Sequence, residues 1–148
     1  MNGSVRRLAA AVLCTAVGAV LAFPSTTFAV IPCEENQPPI IGGFMNPPSI
    51  VENHHKYAAV EVILLVADDD SGAVTVELVS ATSSDPDDGL GKGDKPNDIV
   101  QVDLTHFLVR AELGRDSTSR TYTFAYRATD GCGAATETTV TLTVQPRR

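Results

Sequence analysis

The sequence predicts an all-β domain, an antiparallel β-sandwich of about seven short strands behind a removable leader. Three observations carry that reading. In the last third, Tyr122, Phe124, Tyr126 and Ala128 alternate with smaller or polar residues. Beyond the Asp130-Gly131-Cys132-Gly133 turn, Thr138, Val140, Leu142 and Val144 do the same. Period-two alternation on both sides of a Gly-containing turn marks an antiparallel hairpin with one buried face. Turn signals recur between further short apolar runs, and no segment sustains a 3.6-residue period, so helix content is expected to be low.

The leader comes first. Residues 1–29 combine Arg6 and Arg7, a small-apolar run from Leu8 to Phe23, and small residues at Thr27-Phe28-Ala29, which together read as a secretory signal peptide. Its apolar run falls short of the roughly 20 residues a membrane span needs. Cleavage is expected after Ala29, with Val20-Leu21-Ala22 as the weaker alternative, leaving residues 30–148 as one sandwich domain with a core from about 39 to 145. Two counts change on cleavage. The eleven basic residues fall to nine against 18 acidic ones, for a net charge of -9, and Cys14 leaves Cys33 and Cys132 as the remaining cysteines. So acidic a chain is a poor ligand for nucleic acid or anionic membrane and a good attractor of cations.

The elements follow in order. Residues 31–48 are rich in Pro and Gly, which suits an edge strand, where a missing N–H costs no ladder bond. Tyr57–Ala67 is the strongest strand signal, with Val60, Val62, Leu64 and Val66 on one face and Ile63 and Leu65 on the other. Asp68-Asp69-Asp70-Ser71-Gly72 makes an acidic turn. Alternation resumes over Ala73–Ser80 through Val74, Val76 and Leu78. Residues 82–98 have no apolar periodicity and contain Asp85, Asp87, Asp88, Asp94 and Asp98, so they read as a long loop. Short strands over Ile99–Val102 and Phe107–Leu113 lead through the Gly114–Ser119 turn into the final hairpin.

Strands running up and down in the immunoglobulin manner gather the chain start, the Asp68–Gly72 turn and the Asp130–Gly133 turn at one pole. The loop 82–98 and the Gly114–Ser119 turn lie at the other. Cys33 and Cys132 thus share a pole, and an intramolecular disulfide is the expected pairing in an exported chain, against free thiols or intermolecular bonds.

The Asp-rich loop is the sharpest candidate for chemistry. Asp85, Asp87, Asp88, Asp94 and Asp98, with carbonyls near Gly89, Gly91 and Gly93, offer the oxygen ligands of a calcium ion. The twelve-residue helix–loop–helix register does not fit, because Gly89 in its sixth position puts Pro86 third. The competing reading is a solvated loop of turn formers. Asp68, Asp69, Asp70 and Asp130 form a second metal candidate at the opposite pole. There Asp130 has the alternative role of bonding the backbone two residues on within its turn. His54 and His55 are adjacent, so on a strand their rings diverge rather than converge on zinc. No Gly-x-Ser-x-Gly elbow is present, and the two remaining cysteines are better placed in a disulfide than as a nucleophile, so catalysis is not expected. Tyr122 and Tyr126 read as core aromatics with their hydroxyls on backbone partners.

Five stretches, His54-His55-Lys56, Ser84-Asp85-Pro86-Asp87-Asp88-Gly89, Asn97-Asp98-Ile99, Leu108-Val109-Arg110-Ala111-Glu112 and Ala128-Thr129-Asp130-Gly131-Cys132-Gly133, together with Gly93-Asp94, resemble bacterial Ig-like domains of the hyalin-repeat and surface-repeat kind. The similarity runs from about Pro39 to Val144. It departs at Val51-Glu52-Asn53-His54, where Trp-Pro-Pro-Asn is usual, and at Ala134, where Asn is. The resemblance implies an extracellular Ig-like module without catalysis of its own. The resulting expectation is a secreted, non-enzymatic module, extracellular, periplasmic or at the cell surface, with a structural or adhesive role. Its partner is an extracellular protein or polysaccharide, with no nucleic acid, no membrane span and no required cofactor. A calcium-dependent ligand-binding module using loop 85–98 is the alternative, and an inhibitor of a secreted hydrolase a weaker one.

Overall fold

The computed structural model describes residues 33–69, 72–88, 95–114 and 117–147. The leader expected over 1–29 lies outside them. Among the described residues eight strands are present: β1 (Ile40–Asn46), β2 (Ser49–Val51), β3 (Tyr57–Ala67), β4 (Thr75–Ser83), β5 (Ile99–Gln101), β6 (His106–Arg110), β7 (Arg120–Thr129) and β8 (Ala135–Gln145). They form two four-stranded sheets in the orders β1-β3-β6-β5 and β2-β8-β7-β4.

The extra strand comes from Pro47 and Pro48. They interrupt the Pro-rich opening, so that β1 pairs antiparallel with β3 and β2 then joins the other sheet. There β2 runs parallel to β8, which corrects the expectation of a purely antiparallel pairing. β4 extends to Ser83, further than alternation alone suggests. A bulge between Leu78 and Ser80 shifts its register, leaving Val79 half exposed and turning Ala81 back toward the core. β6 ends earlier, at Arg110, because Ala111 is drawn into bonds with the turn before β3: its N–H donates to the Lys56 carbonyl at 2.8 Å, and its carbonyl accepts from Asn53 N–H at 2.8 Å.

One apolar cluster fills the space between the sheets, so the architecture is sandwich-like. Val60, Val62, Phe107 and Val109 face it from the first sheet, and Tyr122, Phe124, Tyr126, Val140, Leu142 and Val144 from the second. The Phe107 and Phe124 rings meet across it, with centroids 4.5 Å apart. Both tyrosines satisfy their hydroxyls on the backbone, Tyr122 donating to the Arg110 carbonyl at 2.8 Å and Tyr126 to that of Leu104 at 2.9 Å. Burial pushes the Tyr122 hydroxyl pKa up and that of Tyr126 to about 12.

Gly43 is a packing requirement. A Cβ there would lie 2.6 Å from the Ile63 carbonyl oxygen, 3.2 Å from Leu64 Cδ2 and 3.3 Å from Val140 Cγ2, whereas a Cβ on Gly42 meets nothing within 4 Å. Gly43→Ala is expected to destabilise by about 1–3 kcal/mol, because a backbone atom must move to admit the methyl. Gly42→Ala, on the same strand, is the control and should change stability by less than about 1 kcal/mol. Urea melts of the two variants check this; equal midpoints would show that β1 shifts without cost.

The register places Ile40 opposite Ala67, and Thr75 and Ala135 both opposite Thr129. The chain start, the turn after β3 and the β7–β8 turn therefore gather at one end. Cys33 and Cys132 are disulfide-bonded there, with Cα atoms 5.5 Å apart.

Candidate functional site

At the opposite end the feet of the Asp-rich loop meet β6 and β7. Two arginines organise the place. Arg120 is fully buried, in phase with the core residues Tyr122, Phe124 and Tyr126, so its guanidinium is delivered to the end of the core rather than to water. Two buried carboxylates receive it: Nη1 donates to Glu112 Oε1 at 3.1 Å, and Nη2 pairs with Asp98 Oδ2. Nε donates to Ser83 Oγ at 2.7 Å, and Nη2 also reaches the carbonyls of Pro86 at 3.3 Å and Asp85 at 3.5 Å. Burial works against the Arg120 charge, but Tyr122, Asp98 and Glu112 together more than offset it and hold its pKa above the ordinary arginine value.

Arg110 works alongside. Its guanidinium lies 4.3 Å from the centroid of the Tyr57 ring and donates to the Tyr57 hydroxyl, the Pro96 carbonyl (both 2.8 Å) and the His55 carbonyl (2.9 Å). Arg110 Nε lies 3.4 Å from Asp98 Oδ1. The Tyr57 hydroxyl in turn donates a hydrogen bond to the Asn97 carbonyl at 2.6 Å. Glu112 is shared as well, since its Oε2 is 2.5 Å from His55 Nδ1. His55 and His54 both have positive φ, 59° and 47°, inside a turn closed by Lys56 N–H on the Asn53 carbonyl at 3.0 Å. Left-handed backbone costs a non-glycine residue free energy; at His55 the return is the contact with Glu112.

The five aspartates of the loop fare differently. Asp85, Asp87 and Asp98 line one polar cleft of about 470 Å³, with Ser83 and Asn97. Asp87 accepts the backbone N–H groups of Asp98 at 2.7 Å and Asn97 at 3.0 Å, bonds that hold its carboxyl below the usual range. Those bonds fix the second foot of the loop, where Asn97 sits at φ 64°. Asp85 accepts from Ser84 Oγ at 3.2 Å and lies 3.5 Å from Ser117 Oγ. Asp98 points inward, onto the arginines, and Asp88 outward to solvent. Asp94, with Gly89, Gly91 and Gly93, lies outside the described residues.

At the disulfide pole, Asp130 caps its own turn. Oδ1 accepts from the N–H groups of Cys132 and Ala134, both at 2.9 Å, and Oδ2 from Asn36 Nδ2 at 2.7 Å. The Asn36 bond leads the effects that lower its pKa. Asp68 Oδ1 accepts the Asp69 N–H at 3.0 Å, and Asp70 lies outside the described residues. Among the described residues no group of three or more His, Cys, Asp or Glu side chains is arranged to hold a metal ion.

These carboxylates set an acid limit. Asp103, bonded by the N–H groups of Thr105 and His106, has its pKa lowered to about 2, and Asp87 and Asp130 are lowered too. Each folded pKa lies below the unfolded value of 3.8, so their contribution is complete above about pH 4 and is lost as pH falls toward 2. Tyr126 acts at the other end: its folded value exceeds the unfolded 10.0, so its contribution is lost as pH rises from 10 through about 12. Denaturant midpoints measured across pH should therefore be level between about 5 and 9 and fall on both sides. A midpoint still rising between pH 4 and 2 would contradict the assignment.

Of the Arg120–Glu112–Asp98–Arg110 cluster, the sequence alone singles out Asp98, as a calcium ligand; Arg110 and Glu112 enter only within a resembling stretch, and Arg120 not at all. The signal was present: Arg120 keeps step with three alternating aromatics. Compared with known proteins, the chain matches no family model and no curated protein.

Proposed function

We propose that the chain is an exported, non-catalytic Ig-like module with a structural or adhesive role outside the cell. The observation that carries this reading is the strand order. β1-β3-β6-β5 facing β8-β7-β4 follows the two-sheet order of immunoglobulin domains, with β2 as an added edge. Tyr122, near the start of β7 with its hydroxyl on an upstream carbonyl, supports it as a strand-corner tyrosine. The Cys33–Cys132 disulfide fits an oxidising compartment, and no helix among the described residues is long and apolar enough to cross a membrane. At the loop pole Arg110, Arg120, Asp87, Asp98 and Glu112 bond to one another and to the backbone, an arrangement suited to holding a loop in place.

The test is saturable binding of the labelled, purified protein to the surface of the cells that produce it. Amino-terminal sequencing of the exported form locates the cleavage site. Binding competed by unlabelled protein supports an adhesive role, and absence of both export and surface binding would retire it. A second reading, calcium taken up by the loop, rests on Asp85 and Asp87 lining one cleft, where Asp98 is already committed to Arg120. Melting with calcium and with chelator separates the two. An ion at 100 times its dissociation constant should add about 2.7 kcal/mol of stability, and the structural reading expects no change.

A further inference from the structure

We infer that β1 is a self-association strand, pairing antiparallel with β1 of a second copy about a twofold axis through Gly43. Sheet edges invite pairing, and proteins commonly blunt them with short strands, charges, prolines or bulges. Among the described residues the outermost strands β2 and β5 have three residues each and β4 carries a bulge, while β8, open beyond its short pairing with β2, lies close to β1. β1 is the exception. It runs seven residues in unbroken register with β3, contains no ionisable side chain, and leaves Ile40 73% and Phe44 54% exposed.

The side chains say what the strand fits. Ile41 and Met45 point into the core, so Ile40, Gly42 and Phe44 share the outer face. Beside Gly42 lies an apolar groove of about 310 Å³, lined by Ile40, Ile41, Gly42, Leu65, Val66 and Ala67. Leu65, the β3 partner of Gly42, is 62% exposed. The exposed ring of Phe44 stands one residue to one side of Gly43, and the open position at Gly42 one residue to the other. An antiparallel pair centred on Gly43 therefore sets each Phe44 opposite the other copy's Gly42, where an added Cβ would meet no atom of its own molecule within 4 Å. Aromatic side chains covering a cross-strand glycine are a known means of fixing register. Knob and groove on one strand, equally spaced about its centre, specify a second copy of this chain rather than a foreign strand.

No like charges are brought together along the strand, although the molecule as a whole carries -7. Closure removes the exposed parts of Ile40, Phe44 and Leu65 and the free edge of β1 from water, roughly 500 Å² on each copy, at the small end of specific interfaces. The dimer should be weak and reversible.

Sedimentation equilibrium of the purified chain between about 5 and 500 µM tests this. A monomer–dimer equilibrium is expected, with the dissociation constant raised at least tenfold by Phe44→Ser, which removes the ring, or by Gly42→Phe, which fills the groove. The double exchange Gly42→Phe with Phe44→Gly should restore dimerisation, because it swaps knob and groove about the same axis. Far-UV circular dichroism verifies that each variant is folded. A monomer throughout the range, a dimer indifferent to Phe44→Ser, or a folded double exchange that stays monomeric would each overturn the proposal.

Discussion

Replacing Arg120 with methionine is expected to remove at least 3–5 kcal/mol of stability, the largest effect of any single substitution in this chain. The guanidinium is fully buried between Asp98 and Glu112, themselves buried, and deleting it removes a countercharge from both, leaving Asp98 with Arg110 Nε at 3.4 Å and Glu112 with His55. Breaking a buried pair from one side typically costs about 3–5 kcal/mol, because the partner's desolvation is no longer offset. Here two buried partners lose a countercharge at once, so against a total stability of about 5–15 kcal/mol the variant stands near the edge of folding. Arg120→Lys keeps the charge but loses the fork that serves Glu112, Asp98, Ser83 and two carbonyls at once, and should recover only part of the loss. Adding Asp98→Asn and Glu112→Gln to Arg120→Met relieves the excess negative charge and should recover more. Urea midpoints across the four proteins decide the matter. A methionine variant within about 1 kcal/mol of the parent would show that the network contributes little net free energy.

Opening the disulfide comes second. Cys33 and Cys132 are 99 residues apart in sequence, so the bond confines nearly the whole folded chain when it unfolds. In the chain-entropy description a loop of this size is worth about 4.7 kcal/mol, and removing native disulfides from small exported domains costs about 2–5 kcal/mol. Cys33→Ala with Cys132→Ala, or reduction of the parent, should lower stability by that amount. The rest of the fold should survive, because the bond lies at one pole and the apolar cluster between the sheets does not depend on it. Equal melting temperatures with and without reductant would contradict this.

Much of the fold was legible because strand chemistry is local. Alternating Val60 and Val62, and Tyr122, Phe124 and Tyr126, declare their buried face within a few residues. The shared pole of the cysteines also followed from counting strands. Three features were not legible. Pro47 and Pro48 signal an interruption, but which sheet the chain joins afterwards depends on where β8 lies. The bulge at Val79 offers no sequence mark, since valine suits either face of a strand. The loop aspartates could be counted, yet their destinations depended on two arginines distant in sequence. Asp98 and Asp88 are chemically identical, but one is buried against Arg120 and the other faces water. Arg120 could have been found by extending the aromatic alternation two residues backward and asking what anion would meet a cation arriving there.

The clamped feet of the Asp-rich loop also bear on how freely this chain can vary. Arg120 holds Ser83, Asp85 and Pro86 at one foot and Asp98 at the other, while Asp87 ties the first foot to Asn97 and Asp98 directly. With both feet fixed from below, the residues between 88 and 95 do not have to bring the loop ends together. Doubling the length of such a segment costs only about 0.6 kcal/mol in closure entropy. The domain thus provides a ready point of insertion, where new sequence can be displayed at one pole without entering the core.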